Sequence, residues 1–235
     1  MKHAAILAGC ATLAGCIDDA PVTEDDIIAS LAIKPAAGGE RIADGATRLP
    51  IELCIVDHDG RDPALTATLH ASAGAWVDAA DGQTITVALT QRCEQRPLVP
   101  PLDVGPLTIT ATLRGFVAST TETLAAAPVA RVRVGTAGVL SAAMDTMLTV
   151  TATLDVGGDG IVASPSRGTE VTFDAQIEPP GAVGRLSDTV ATISTGTSVT
   201  TTFFASPQVT RVTFTATARP AGRAACISAP LAVAR

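Results

Sequence analysis

The sequence has no tyrosine, a single tryptophan (Trp76), and an aromatic content of only 3% over 235 residues. A core without large rings has to be assembled from Val, Ile, Leu, Ala and Thr methyl groups. β-Branched side chains of that kind suit a pleated, half-buried surface better than a helix. Lysine is equally scarce, confined to Lys2 and Lys34; with so much alanine, this reads as the codon bias of a GC-rich genome before it reads as function. The 16 basic residues are outnumbered by 23 acidic ones, for a net charge of −7. No basic stripe interrupts that balance, which excludes a nucleic-acid partner. The three histidines are His3, His58 and His70, and they offer little from which to assemble a general acid and base. Zinc-ligand spacing, a phosphate loop and a paired-carboxylate motif are all missing, so no cofactor is expected. The apolar run from Ala4 to Leu13 falls well short of the roughly 20 residues that a membrane-spanning helix needs.

What that run does fit is the core of an export signal. Lys2 and His3 supply a cationic start, and small residues precede a cysteine. Leu-Ala-Gly-Cys occurs at Leu7 to Cys10 and again at Leu13 to Cys16, and each copy resembles the lipobox at which a bacterial lipoprotein is cleaved before its acylated cysteine. Cys10 would leave only Ala4 to Gly9 as apolar core, whereas Cys16 leaves a normal core followed at once by Ile17, Asp18 and Asp19. The reading is a signal over 1–15 and lipidation at Cys16. A single acyl chain holds only marginally, and several chains anchor stably, so the membrane is an expected partner. Loss of Lys2 with the signal would take the net charge from −7 to −8. By the sorting rule of Gram-negative lipoproteins, Ile17 in place of an aspartate directly after the cysteine implies the outer membrane of the cell envelope. Asp18, Asp19, Glu24, Asp25 and Asp26 then make residues 16–26 an acidic, extended tether.

From Ile27 onward the pattern changes to short alternating or β-branched runs between Gly, Pro and Asp clusters. Strands are expected at Leu49 to Val56, Leu65 to Leu69, Thr84 to Thr90, Leu107 to Leu113, Ala130 to Val134, Leu148 to Leu154, Val171 to Ile177, Thr189 to Ile193, Val199 to Phe204 and Val209 to Ala218. That spacing, with no long 3.6-residue periodicity, predicts antiparallel sandwiches. An internal repeat supports two of them. Pro106 to Leu113 matches Arg211 to Ala218 at an offset of 105, and the strand ending at Val56-Asp57 matches that ending at Leu154-Asp155 at an offset of 98. The drift places extra loop residues in the second copy, at Gly158 to Gly168, and the junction near Ala126 to Ala130. The fold class expected is all-β, two tandem immunoglobulin-like sandwiches at 27–126 and 127–235.

Each half resembles the bacterial immunoglobulin-like repeat of invasin and intimin type surface proteins. The first carries the turn Asp57-His-Asp-Gly60-Arg-Asp-Pro63, the glycine Gly74 and the closing strand Leu107 to Leu113. The second carries Glu170 to Asp174, Gly184-Arg-Leu186 and Val212 to Ala216, with Asp155 to Pro165 longer than the pattern. The resemblance implies a structural spacer or an adhesion and interaction module, without catalytic residues, facing a protein or glycan partner at the cell surface.

Candidate chemistry is thin. Asp57, Asp59 and Asp62 around Gly60 suggest a calcium loop, but the twelfth position from Asp57 is Thr68, not the bidentate Glu an EF-hand requires. The same residues make an ordinary Asx-type turn. His70-Ala-Ser72-Ala-Gly74 is one residue from a nucleophile elbow, yet that motif needs a strand-to-helix turn, and Trp76 with another strand follows here. Trp76 could stack on a sugar, the basis of an alternative glycan-binding or small-ligand reading, or fill the core. With Cys16 acylated, Cys54, Cys93 and Cys226 remain. Cys54 and Cys93 share the first half and are expected to pair in an oxidising compartment, leaving Cys226 unpaired. Alternation puts Cys54 on the face opposite Ile51, Leu53 and Ile55.

Overall fold

The computed structural model describes residues 28–37, 40–57, 65–157 and 163–235. Cys10, Cys16, the acidic tether, His58, Asp59 and Asp62 lie outside them. The described chain is entirely β. Nine strands form the first half: β1 (Ile28–Pro35), β2 (Ile42–Ala43), β3 (Leu49–Asp57), β4 (Leu65–Ala71), β5 (Ala75–Trp76), β6 (Thr84–Leu89), β7 (Cys93–Val99), β8 (Gly105–Leu113) and β9 (Phe116–Ala126). Nine more form the second: β10 (Arg131–Ala137), β11 (Thr146–Asp155), β12 (Glu170–Glu178), β13 (Gly184–Leu186), β14 (Val190–Thr192), β15 (Ser198–Ala205), β16 (Arg211–Arg219), β17 (Cys226–Ile227) and β18 (Leu231–Ala234).

Two sheets enclose each core. In the first half, β1-β3-β7-β5 faces β2-β9-β8-β4-β6; in the second, β10-β11-β15-β13 faces a sheet in which β14, β12 and β16 run in order and β17 and β18 both pair with β16. Strand for strand the two halves share one topology. β1, β3, β7 and β5 correspond to β10, β11, β15 and β13, while β8, β4 and β6 correspond to β16, β12 and β14. β9 is matched by the broken pair β17 and β18. Only β2 has no counterpart. All the pairings are antiparallel except β2 with β9.

Alternation explains why these segments fold as they do. On β3, Ile51, Leu53 and Ile55 point inward, and on β8 so do Leu107, Ile109, Ala111 and Leu113. On β11 the inward set is Leu148, Val150, Ala152 and Leu154, and on β16 it is Val212, Phe214, Ala216 and Ala218. The two buried clusters are separate, one running from Ile33 to Leu124 and the other from Val132 to Ala218. Scarce aromatics go to the centres. Trp76 is buried in the first, and Phe203 and Phe214 meet edge to face across the two sheets of the second, with ring centroids 5.2 Å apart. The offset of 98 does not survive: it superposes inward-pointing Ile55 on outward-pointing Thr153. An odd shift is required, because a one-residue slip moves every side chain of a strand to the other face. The offset of 105 is odd, and it matches Leu107 with Val212, both buried.

Candidate functional site

Cys54 and Cys93 are directly opposite each other on β3 and β7, with Cα atoms 4.1 Å apart and a disulfide between them. As alternation requires, the bridge lies on the outer face of the sheet, at the end away from the second half. Glu52 stands beside it and completes the one Cys/Glu group with metal-like spacing among the described residues. Both sulfurs are spent on the disulfide, and Glu52 pairs with Lys34 at 3.3 Å. This cluster is a covalent staple and not a metal centre. Cys226 is free and half-buried against the second core.

His70 and Ser72 lie on the outer face of β9-β8-β4-β6. His70 Nδ1 is 3.3 Å from Thr84 Oγ1, and Ser72 Oγ accepts the Thr108 N–H at 3.0 Å. Their neighbours on this face are hydroxyls, not acids: Thr68 stands opposite Thr112 and Thr86, Thr110 opposite His70 and Ser119, and Thr108 opposite Thr121. The chain after Ser72 turns through Gly74 into β5 and not into a helix. Gly74 has φ +82°, and a Cβ there would collide with the Val99 carbonyl oxygen. Trp76 is 2% exposed, and its Nε1–H donates to the Gln83 carbonyl at 3.0 Å. No ring face is left for a sugar.

A dense polar constellation forms the contact between the halves, and its centre is built from the part that each half does not share with the other. The first contributes β2 and its flanking loop. There Asp44, 4% exposed, accepts the Ala46 and Thr47 N–H groups at 2.9 Å each and fixes the turn. The second contributes the end of its long β11–β12 connection, residues 163–169. Ser166 is fully buried, accepts the Ala127 N–H at 2.8 Å and donates to the Ala43 carbonyl. Around it, Ser164 N–H reaches the Asp44 carbonyl at 3.1 Å and Arg167 N–H the Leu102 carbonyl at 2.9 Å. The Arg167 guanidinium holds both Asp103 oxygens, at 3.0 and 2.9 Å. On another side, Arg223 donates to the Ala126 carbonyl at 2.8 Å and pairs with Glu40. Nothing in the residue types of Ser166, Asp103 or Arg223 singles them out in sequence; the only advance signal was the extra length at Gly158 to Gly168.

At the opposite end of the second half lies an apolar groove of about 710 Å³, lined by residues of β11, β13 and β15 that include Met147, Arg185 and Phe204. Register places these three in one row across the strands, Met147 beside Phe204 and Phe204 beside Arg185. The Arg185 guanidinium sits 5.0 Å from the Phe204 ring centroid, the geometry of a cation–π contact. Val139, Met144, Met147 and Val183, all more than 60% exposed, belong to this end. Sequence reading passed over Met144 and Met147, although they are the only methionines besides Met1.

No family model matches the chain, and no curated protein matches it in sequence. Solved structures do match its fold. The adhesin InvE of Yersinia pseudotuberculosis superposes with a TM-score of 0.51 at 12% identity, over 90% of this chain and 60% of that one. Invasin, described as a bacterial integrin-binding protein, superposes with a TM-score of 0.61 at 16% identity, over 85% of this chain and 38% of that one. The chain therefore spans less than two thirds of the first of these and well under half of the second. At these identities the likeness establishes the fold, that of the immunoglobulin-like domains of bacterial adhesins.

Proposed function

We propose that this chain is a lipid-anchored envelope protein in which modules 27–126 and 127–235 form an end-to-end spacer that carries an interaction surface away from the membrane, without catalysis. The observation that carries the reading is Ser166, a hydroxyl with no exposed surface that hydrogen-bonds the first half from a loop of the second. Two modules on a flexible linker have no use for such a contact, because inter-domain motion is the default unless an interface opposes it. The resemblance of both halves to adhesin repeats supports the same role, as does the lipobox at Cys16, which would place the anchor at the end opposite the apolar groove. A partner protein at the cell surface fits the groove. A neutral glycan fits the hydroxyl-lined face of β9-β8-β4-β6 and gives the second reading.

Fractionation of cells expressing the chain tests the anchor. Cys16→Ala is expected to abolish acyl labelling and release the protein from membranes, while Cys10→Ala leaves a mature lipoprotein; membrane retention of an unacylated Cys16→Ala chain overturns the proposal. A glycan array with wild type and Thr110→Ala separates the two binding readings, since a sugar signal lost in that variant favours the glycan.

A further inference from the structure

β6 is an edge of the sheet β2-β9-β8-β4-β6 and pairs with β4 alone, in unbroken register from Leu65 opposite Leu89 to His70 opposite Thr84. The Ala71 N–H donates to the Gln83 carbonyl at 2.9 Å, and hydrogen-bonded pairs recur at every second residue of an antiparallel ladder. Ile85, Val87 and Leu89 therefore turn their backbone groups to β4, while Thr84, Thr86 and Ala88 turn theirs to the open side. The Thr84 N–H is capped there by the Asp81 carboxylate at 2.8 Å. Among the described residues, no hydrogen bond reaches the backbone of Thr86 or Ala88 from that side. Proteins guard such edges with charge, proline, bulges or brevity, because the free groups will pair with another strand. The other edges of this chain are guarded. β1 carries Lys34, Pro35 and a register shift between Ile28 and Ser30, and β10 carries Arg131 and Arg133. β2, β5, β13, β14, β17 and β18 have only two to four residues each. β6, which reads Thr-Ile-Thr-Val-Ala-Leu, has none of these devices.

We infer that two copies of this chain pair antiparallel through β6, which joins their five-stranded sheets into one across a two-fold axis at Thr86. A two-fold interface uses the same patch on both subunits and must be self-complementary. The open-side groups at Thr84, Thr86 and Ala88 are symmetric about Thr86, so the axis lays Thr86 opposite Thr86 and Thr84 opposite Ala88. The Thr86 N–H then meets the Thr86 carbonyl of the other copy, and the Ala88 N–H meets the Thr84 carbonyl. In the same register Ile85, which is half-buried, lies opposite Val87 on the core side, so apolar faces apolar and hydroxyl faces hydroxyl or methyl. The ends of the strand agree with this direction. Asp78 and Asp81 precede β6 and Arg92 follows it, all three exposed, so antiparallel copies bring the acidic end of one strand to the basic end of the other. Glu94, near the basic end, is already engaged by the Thr90 hydroxyl and by Arg96. A foreign strand could satisfy the backbone groups, but the matching rows and opposite ends are those of β6 itself.

The full chain is measured by sedimentation velocity over a range of concentrations, in one mild detergent, as wild type, Thr86→Lys and Thr112→Lys. The Thr86 side chain is exposed, and a lysine there sets two ammonium groups face to face across the axis. That variant is expected to weaken the dimer by at least about tenfold. Thr112→Lys adds the same charge to the same face two strands inward, on β8, and is expected to leave the dissociation constant unchanged. Thermal melts check that both variants keep their fold. Mild oxidation in a Cys226→Ser background gives a second reading, independent of added charge. Thr86→Cys is expected to cross-link into a dimer, because facing residues of a hydrogen-bonded pair have Cα atoms about 5.5 Å apart, within disulfide reach. Ala88→Cys is not, because its two copies lie more than about 10 Å apart in this register. A wild-type chain that stays monomeric overturns the inference, and so does a Thr86→Lys chain that associates as tightly as Thr112→Lys. Failure of Thr86→Cys to cross-link, or equal cross-linking of Ala88→Cys, overturns it as well.

Discussion

Ser166 is the residue on which the contact between the halves turns. Its hydroxyl is buried, donates across the junction to the Ala43 carbonyl and accepts the Ala127 N–H where the chain enters the second half. Ser166→Ala strands a buried N–H at Ala127 and a buried carbonyl at Ala43, and each unsatisfied group costs roughly 1–3 kcal/mol. The variant is expected to keep two folded cores but to exchange the amide protons of Ala127 and Arg167 faster; unchanged protection there refutes the assignment. Gly74 is the complementary case. Its positive φ and the nearby Val99 carbonyl leave no room for a Cβ, so Gly74→Ala is expected to destabilise by about 2 kcal/mol or more, read from denaturant titration. Gly74 could be found in the sequence because only glycine serves that conformation. Serine serves anywhere, so Ser166 could not. Trp76, the one fully buried ring among the described residues of the first half, belongs with Gly74: Trp76→Ala is expected to cost about 3–5 kcal/mol while leaving any sugar binding intact.

Among the elements, the strands read most plainly from the sequence are those whose inward residues are large. β3, β8, β11 and β16 each alternate Leu, Ile, Val or Phe with polar residues, and that pattern states both the strand and its buried face. β7 and β9 escaped. β7 reads Cys-Glu-Gln-Arg-Pro-Leu-Val, and Pro97 inside a run marks an edge; here only Ala75 and Trp76 of β5 cover its far side. β9 carries Ser119, Thr121 and Thr123 but also Val117 on its outer face, and Thr120 and Glu122 among Phe116, Ala118, Leu124 and Ala126 on its inner one, so its hydrophobic contrast is weak. It is held in place by its neighbours, with β8 joined to it through a two-residue turn at Arg114 and Gly115, both at positive φ. That backbone is the type I′ hairpin, which favours Asn-Gly. Arg114→Asn is expected to raise the melting temperature by a few degrees, a gain of about 1 kcal/mol from relieving a long side chain of a left-handed conformation. A lowered melting temperature counts against that account of the turn.

On the scale of the whole molecule, two cores of similar design are joined by hydrogen bonds and ion pairs across the junction. Each net hydrogen bond contributes about 0.5–1.5 kcal/mol, and the half-exposed Arg167–Asp103 pair adds at most about 1 kcal/mol. Coupling between the halves therefore amounts to a few kcal/mol, comparable with the stability difference that one covalent link can create. The molecule has that link on one side only, since Cys54 and Cys93 close a loop of 39 residues within the first half. In the chain-entropy model such a loop contributes about 4 kcal/mol. For a domain of about 100 residues each kcal/mol moves the melting temperature by roughly 4–8 °C, so reduction is expected to lower one calorimetric transition by more than ten degrees. The second transition should fall only by the coupling it loses when its neighbour unfolds first. Combining reduction with Ser166→Ala and Arg223→Ala should remove even that, leaving the second transition where an independently folding half would melt. A single transition that shifts as a unit on reduction, with or without the junction substitutions, would show that the two cores unfold as one body and that polar contacts alone do not set their coupling.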